Sequence, residues 1–224
     1  NDILDLSKVE AGKMELVYGD YHLKTLVDEV VGMMDMAASK RGLILKYECD
    51  SALPCRYNGD EGRIKQVLIN ILNNAIKFTR EGYVRVYITG WPGKNEDEEV
   101  LSFRVEDTGC GIRKEDLGKI FEDFRQVDAK RNRTVEGTGL GLAIVRHLVE
   151  LMGGLIDVDS VYGEGTTVMI TIPQKIVDRR SIAELPEIPQ TELRYAEAFA
   201  APDVRVLIVD DNLINRKVAR GFLK

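Results

Sequence analysis

A chain of 224 residues, 44% hydrophobic and 30% charged, is long and apolar enough to bury a core of its own and is not a disordered sequence. A net charge of −6 and the lack of a long Lys/Arg run exclude a general nucleic-acid binder. The longest strongly apolar runs, such as residues 204–209, are too short to cross a bilayer, and no signal-peptide pattern stands at the start. Cys49, Cys55 and Cys110 are odd in number and lack metal-ligand spacing, so they read as structural thiols in a reducing compartment.

Residues 1–16 read as the end of a helix, with Ile3, Leu4, Leu6, Val9 and Met14 as its apolar stripe. A second helix is predicted over 22–40, with Leu23, Leu26, Val27, Val30, Val31 and Met34 on one face. Residues 43–49 alternate like a half-buried strand. Residues 60–78 form a long helix, and 83–91 and 100–107 form two strands around a charged, turn-rich loop. From 110 to 137 the chain is polar, with Phe121 and Phe124 as isolated apolar anchors, the character of a functional lid. A helix over 138–152 ends at Gly153-Gly154, and 155–161 with 166–172 form a hairpin around Gly163-Glu164-Gly165. Residues 174–203, interrupted by Pro186, Pro189 and Pro202, read as a linker. Residues 204–209 read as a buried-type strand ending in Asp210-Asp211, with a helix pattern after it.

The 60–78 helix carries two stripes. Ile64, Val67, Leu68, Ile71, Leu72 and Ala75 make its buried face. Asn70, Asn74 and Lys77 stack at i, i+4 and i+7 on another. An amide oxygen is a hard ligand suited to Mg²⁺, and Lys is a point charge for phosphate. Asn is also a poor helix former, so two in register ask for a reason; a merely solvated face is the plainer reading. Asp107-Thr108-Gly109-Cys110-Gly111 places a carboxylate at a strand end, able to accept from an exocyclic amine, although alone it is a common turn. Gly137-Thr138-Gly139-Leu140-Gly141 opens a helix, where exposed backbone N–H groups suit a phosphate. No Walker A loop occurs, the glycine spacing is not that of a dinucleotide fold, and the Ser/Thr kinase motifs are missing.

Taken in order, these segments resemble one family. NILNNAIKFT (70–79) is similar to the N box of sensor histidine kinases, DTGCGI (107–112) to the G1 box and FEDFRQ (121–126) to the F box. GTGLGLAI (137–144) is similar to the G2 box and GEGT (163–166) to the G3 turn. NDILDLSKVEAGKMEL resembles the tail of a dimerisation and phosphoacceptor hairpin, and residues 204–224 resemble the start of a receiver domain.

The resemblance implies an α+β fold: the two-layer α/β sandwich of Bergerat ATP-binding domains, a mixed sheet on helices with a mobile ATP lid. It implies a hairpin tail over 1–18, a catalytic domain over 19–173, a linker over 174–203 and a truncated receiver over 204–224. It implies a histidine kinase of the hybrid two-component type that uses ATP and Mg²⁺, with its acceptor histidine on a segment absent here. His22 and His147 do not stand in the acceptor context. Asn74 is expected to bind Mg²⁺ with Asn70 close by, and Lys77 to contact phosphate. Asp107 is expected to hold the adenine amine, with Gly109, Gly111 and Ile112 shaping its pocket and Thr166 near the base. Phe121 and Phe124 would anchor the lid; Lys130, Arg131 and Arg133 lie in it, and Glu136 stands where hybrid kinases often have glycine. Gly137, Thr138, Gly139, Leu140 and Gly141 would line the phosphates. Asp210 and Asp211 would bind Mg²⁺ only in an intact receiver. The implied partners are the parent's phosphoacceptor hairpin and a receiver domain or response regulator, with neither nucleic acid nor direct membrane contact. The implied setting is cytoplasmic, the fragment monomeric and the parent a homodimer. The rival readings are a non-catalytic, nucleotide-regulated scaffold and a related gyrase-type ATPase.

Overall fold

The computed structural model describes residues 14–121 and 141–184. The expected helix tail before Met14, most of the lid, the residues from 185 on, and Asp210 and Asp211 lie outside the described residues.

In chain order the elements are β1 (Gly19–His22), α1 (Leu23–Lys40), β2 (Ile44–Cys49), β3 (Pro54–Gly59), α2 (Glu61–Phe78), β4 (Tyr83–Pro92), β5 (Glu98–Asp107), α3 (Lys114–Leu117), α4 (Gly141–Leu151), β6 (Leu155–Val161) and β7 (Gly165–Ser181), followed by a short 3₁₀ turn. The strands make one mixed sheet in the order β1-β3-β7-β5-β4-β2, with β6 also on β7. Among the described strands only β2 and β4 run parallel to each other. The fold is α+β, a sheet with helices on one face. Period-two alternation explains the layering: Val84, Val86 and Ile88 on β4, Leu101, Phe103 and Val105 on β5, and Ile170 and Ile172 on β7 all point to one side. There they meet Leu26 and Val30 of α1, Ile64, Leu68, Ile71 and Leu72 of α2, and Ile144 and Leu148 of α4 in one buried cluster.

Helix α2 holds its place through Asp60. One carboxylate oxygen accepts from Arg63 N at 3.0 Å and caps the helix; the other accepts from Val17 N at 2.8 Å. The segment entering the sheet is thereby fixed to the start of the helix that carries Asn70, Asn74 and Lys77. At the other end the Thr79 hydroxyl, fully buried, donates to the Ala75 carbonyl at 2.7 Å.

Strands β1 and β3 were not legible in the sequence, and β7 runs past its expected end, which corrects one boundary. The linker expected from residue 174 does not begin there, because β7 continues to Ser181 and pairs with β3 through Lys175↔Asn58 and Ile176↔Tyr57. Pro173 stands between the part of β7 that pairs with β6 and the part that pairs with β3. Its carbonyl accepts from Gln174 Nε2 at 2.7 Å, and the Gln174 amide oxygen accepts from the Tyr21 hydroxyl at 2.8 Å. Gln174 is buried because it continues the inward series Ile170, Ile172, Gln174.

A chain ending at Pro173 should therefore lose one of the two partners of β3, leaving it only β1. Tyr57 and Tyr21, 0% and 3% exposed, would be uncovered at a cost of roughly 2 kcal/mol each. The expected result is a melting temperature about 10 °C below that of a chain ending at Glu184, measured by calorimetry. Equal melting temperatures would show that the last strand segment contributes nothing.

Candidate functional site

Strand register assembles the site. Asp107 stands opposite Val84 on β4 and Thr166 on β7, and Thr166 stands opposite Ser160 on β6. Phe103 and Val105 point into the core, so two-residue alternation puts Asp107 on the helix-covered face at the end of β5. Its Oδ1 accepts from Gly109 N at 2.8 Å. The Thr166 backbone N–H and the Thr79 hydroxyl also bear on the carboxylate. Burial still dominates and raises the Asp107 carboxyl above the usual aspartate value, against these bonds.

The turn after Asp107 packs against α2. Cys110 N donates to the Phe78 carbonyl at 3.2 Å. A Cβ on Gly109 would lie 2.6 Å from that carbonyl oxygen and 2.7 Å from Asp107 Oδ1. Gly111 has φ +64, and a Cβ there would lie 2.1 Å from the Val161 carbonyl oxygen. These two glycines let the turn close onto α2 and the β6–β7 hairpin. Their want of a side chain is used against protein atoms, a more local reason than room for a ligand. The hairpin is tied in turn: Gly163 N donates to the Cys110 carbonyl at 2.8 Å, and Ile112 N donates to Ser160 Oγ at 2.8 Å.

Asn70, Asn74 and Lys77 are half-buried on α2. Neither amide side chain is spent on another described residue. Lys77 lies on the last turn, over the Phe78 ring at 5.2 Å, and burial lowers its ammonium below the ordinary lysine value. Helix and turn thus bring Lys77, Phe78, Thr79 and Asp107 to one end of the sheet. Phe121 is half-buried, with the Arg146 guanidinium 5.8 Å from its ring centroid. Gly141 is the first residue of α4. Phe124, Lys130, Arg131, Arg133, Glu136, Gly137, Thr138, Gly139 and Leu140 lie outside the described residues. Cys55 is buried and Cys49 half-buried, whereas Cys110 is exposed beside the site, against the reading of it as a structural thiol.

Sequence reasoning missed Ser160, which is 8% exposed and touches both the Asp107 turn and Thr166. The signal was there: an inward serine three residues before the hairpin turn must face the residue one past it.

A family model described as histidine kinase-, DNA gyrase B- and HSP90-like ATPase matches residues 59–176, just over half of the chain. The chain belongs to that ATPase family. The match runs from the residue before Asp60 to beyond Gln174 and so contains α2, the Asp107 turn and the β6–β7 hairpin. Hybrid signal transduction histidine kinase B of Dictyostelium discoideum is 40% identical over 173 residues, 77% of this chain and 9% of that protein. The autoinducer 2 sensor kinase/phosphatase LuxQ of Vibrio cholerae is 37% identical over 226 residues, 100% of this chain and 25% of that protein. The chain therefore spans a quarter or less of these relatives. Among solved structures, full-length ShkA in complex with AMPPNP is similar, with a TM-score of 0.70 and 32% identity over 80% of this chain and 35% of that one. The Acinetobacter baumannii histidine kinase AdeS has a TM-score of 0.58 and 25% identity over 79% of this chain and 76% of that one.

The raised Asp107 carboxyl has a consequence for stability. Folding favours its protonated form, so the charged form is the costly one. That cost is fully present above the folded pKa, shrinks as pH falls through it, and vanishes below the ordinary value of 3.8. Asp107→Asn is expected to melt higher than the parent at pH 7, with the gain gone below about pH 4. Melting curves of both proteins at the two pH values check this; a variant less stable at pH 7 would contradict it.

Proposed function

We propose that this chain is the ATP-binding catalytic domain of a hybrid sensor histidine kinase, acting on a histidine in a segment absent from this chain. The observation that carries the reading is the half-buried Asp107 carboxylate at the end of β5, in register with Thr166 and beside a turn packed against the end of the asparagine-bearing helix. A carboxylate partly withdrawn from water with its pKa raised is costly, and a base amine that donates to it offsets the cost.

Asp107 would accept from the exocyclic amine of adenine, with Thr166 beside it. Lys77 would meet the phosphates as a cation already partly stripped of water. Mg²⁺ fits the donors present: Asn74, with Asn70 one turn away, supplies neutral hard oxygens not bonded elsewhere among the described residues. Bound there, Mg²⁺ would neutralise charge on the triphosphate. The protein's part in the transfer is positioning and charge stabilisation. A histidine nitrogen attacks the γ-phosphorus, the N–P bond forms, the bond to the β–γ bridging oxygen breaks, and ADP leaves. We further propose a parent that dimerises through its phosphoacceptor hairpin and passes the phosphoryl group to a receiver domain. Among the described residues no helix is long and apolar enough to cross a membrane. The domain is proposed to work on the cytoplasmic side, where ATP is supplied.

Calorimetric titration with a non-hydrolysable ATP analogue should give saturable binding that is stronger with Mg²⁺. Asn74→Ala should abolish the Mg²⁺ dependence. Asp107→Asn should weaken binding by about 10- to 100-fold, the worth of a hydrogen bond to a charged group. The chain alone should acquire no acid-labile phosphate from ATP. Absence of binding with and without Mg²⁺ would favour a non-catalytic scaffold, and vigorous ATP turnover without a histidine substrate would favour a gyrase-type ATPase.

A further inference from the structure

Three hydrogen bonds converge on the Ser160 hydroxyl, on the inward side of β6. Ile112 N lies at 2.8 Å, the Gly165 carbonyl oxygen at 2.8 Å and Thr166 Oγ1 at 3.0 Å. Proton counting fixes the direction of each. A hydroxyl has one proton and two lone pairs. A carbonyl only accepts, so the Ser160 proton goes to Gly165. An amide N–H only donates, so Ile112 uses one lone pair. The remaining lone pair faces Thr166, whose hydroxyl must donate. The reverse arrangement would take the Ser160 proton away from the Gly165 carbonyl, and Ser160 itself is only 8% exposed.

Thr166 has then spent its only proton. In the row it shares with Asp107, its partner across the ladder, its hydroxyl then has only lone pairs left to offer a ligand. We propose that Ser160 is a positioning residue for base selection: by taking the Thr166 proton it makes the Asp107–Thr166 row a wall of acceptors, matched to a 6-aminopurine nucleotide and closed to a 6-oxopurine. This rests on the reading of Asp107 as the base-facing carboxylate. A 6-amino group brings two N–H donors to the wall. A 6-oxo group brings lone pairs, which two acceptors repel.

The test uses the full chain with Mg²⁺ and compares dissociation constants for ADP and IDP, which differ at the 6-position and avoid turnover. Wild type should prefer ADP. In Ser160→Ala the Thr166 hydroxyl regains a free proton, so IDP affinity should rise and the ADP:IDP preference should shrink about tenfold, one neutral hydrogen bond's worth. Ser160→Cys, similar in volume and a weak hydrogen bonder, should behave the same way if the alanine variant folds poorly. Ser160→Thr, which keeps the hydroxyl, should restore the preference. In a Thr166→Val background the Ser160→Ala substitution should no longer change it. Ser160 variants that weaken ADP and IDP in parallel, with the preference intact, would reduce Ser160 to a structural tie and overturn the proposal. If Asp107→Asn also leaves the preference intact, the underlying assignment of the base site fails instead.

Discussion

The antiparallel ladder between β5 and β7 is the constraint on which the rest depends. It runs from Glu98↔Lys175 to Asp107↔Thr166. One register sends Phe103, Val105, Ile170 and Ile172 into the core and sets Asp107 against Thr166 at its end. A slip of one residue would turn every side chain of one strand to the opposite face. Core and site are therefore specified by the same pairing, and hydrophobic burial along the ladder also holds a charged carboxylate where its solvation is poor. Asp107 is costly to the fold, and the fold keeps it in place.

Around that ladder the site is built from parts that stabilise one another. Helix α2 is fixed at its start by Asp60 and ends on Thr79, whose hydroxyl is buried beside Asp107. The Asp107 turn docks on the Phe78 carbonyl through Cys110 N, and the β6–β7 hairpin docks on the turn through Gly163 and Ser160. The groups proposed to face phosphate and base thus share one framework. A shift of α2 would be felt at the turn, which gives a physical route for the position of Val17, bonded to Asp60, to bear on the site.

Much of this was legible in the sequence because it depends on periodicity. The two long helices follow from 3.6-residue spacing, and β4, β5 and the β6–β7 hairpin from alternation and turn residues. β3 was not legible: Pro54-Cys55-Arg56-Tyr57-Asn58-Gly59 contains three strand breakers and sends only Tyr57 inward as a large side chain, beside the small Cys55. Its stability comes from pairing with the far end of β7, a non-local gain that no window of sequence contains. That end was read as linker because Pro173 stops a local strand pattern, although Gln174 and Ile176 continue the inward alternation. Of the site, Asp107, Thr166 and the helix stripe came from motif resemblance and chemistry. Ser160 did not: its inward place before the turn could have been read from alternation, but a serine in a strand carries no motif, and its role depends on three partners brought together by the fold.

The most direct test of the central claim is a crystal structure of this chain with a non-hydrolysable ATP analogue and Mg²⁺. The adenine amino group is expected within hydrogen-bonding distance of the Asp107 carboxylate, with the triphosphate running toward Lys77 and Asn74. A base bound elsewhere, or an amine turned to solvent while Asp107 keeps its present bonds, would contradict it.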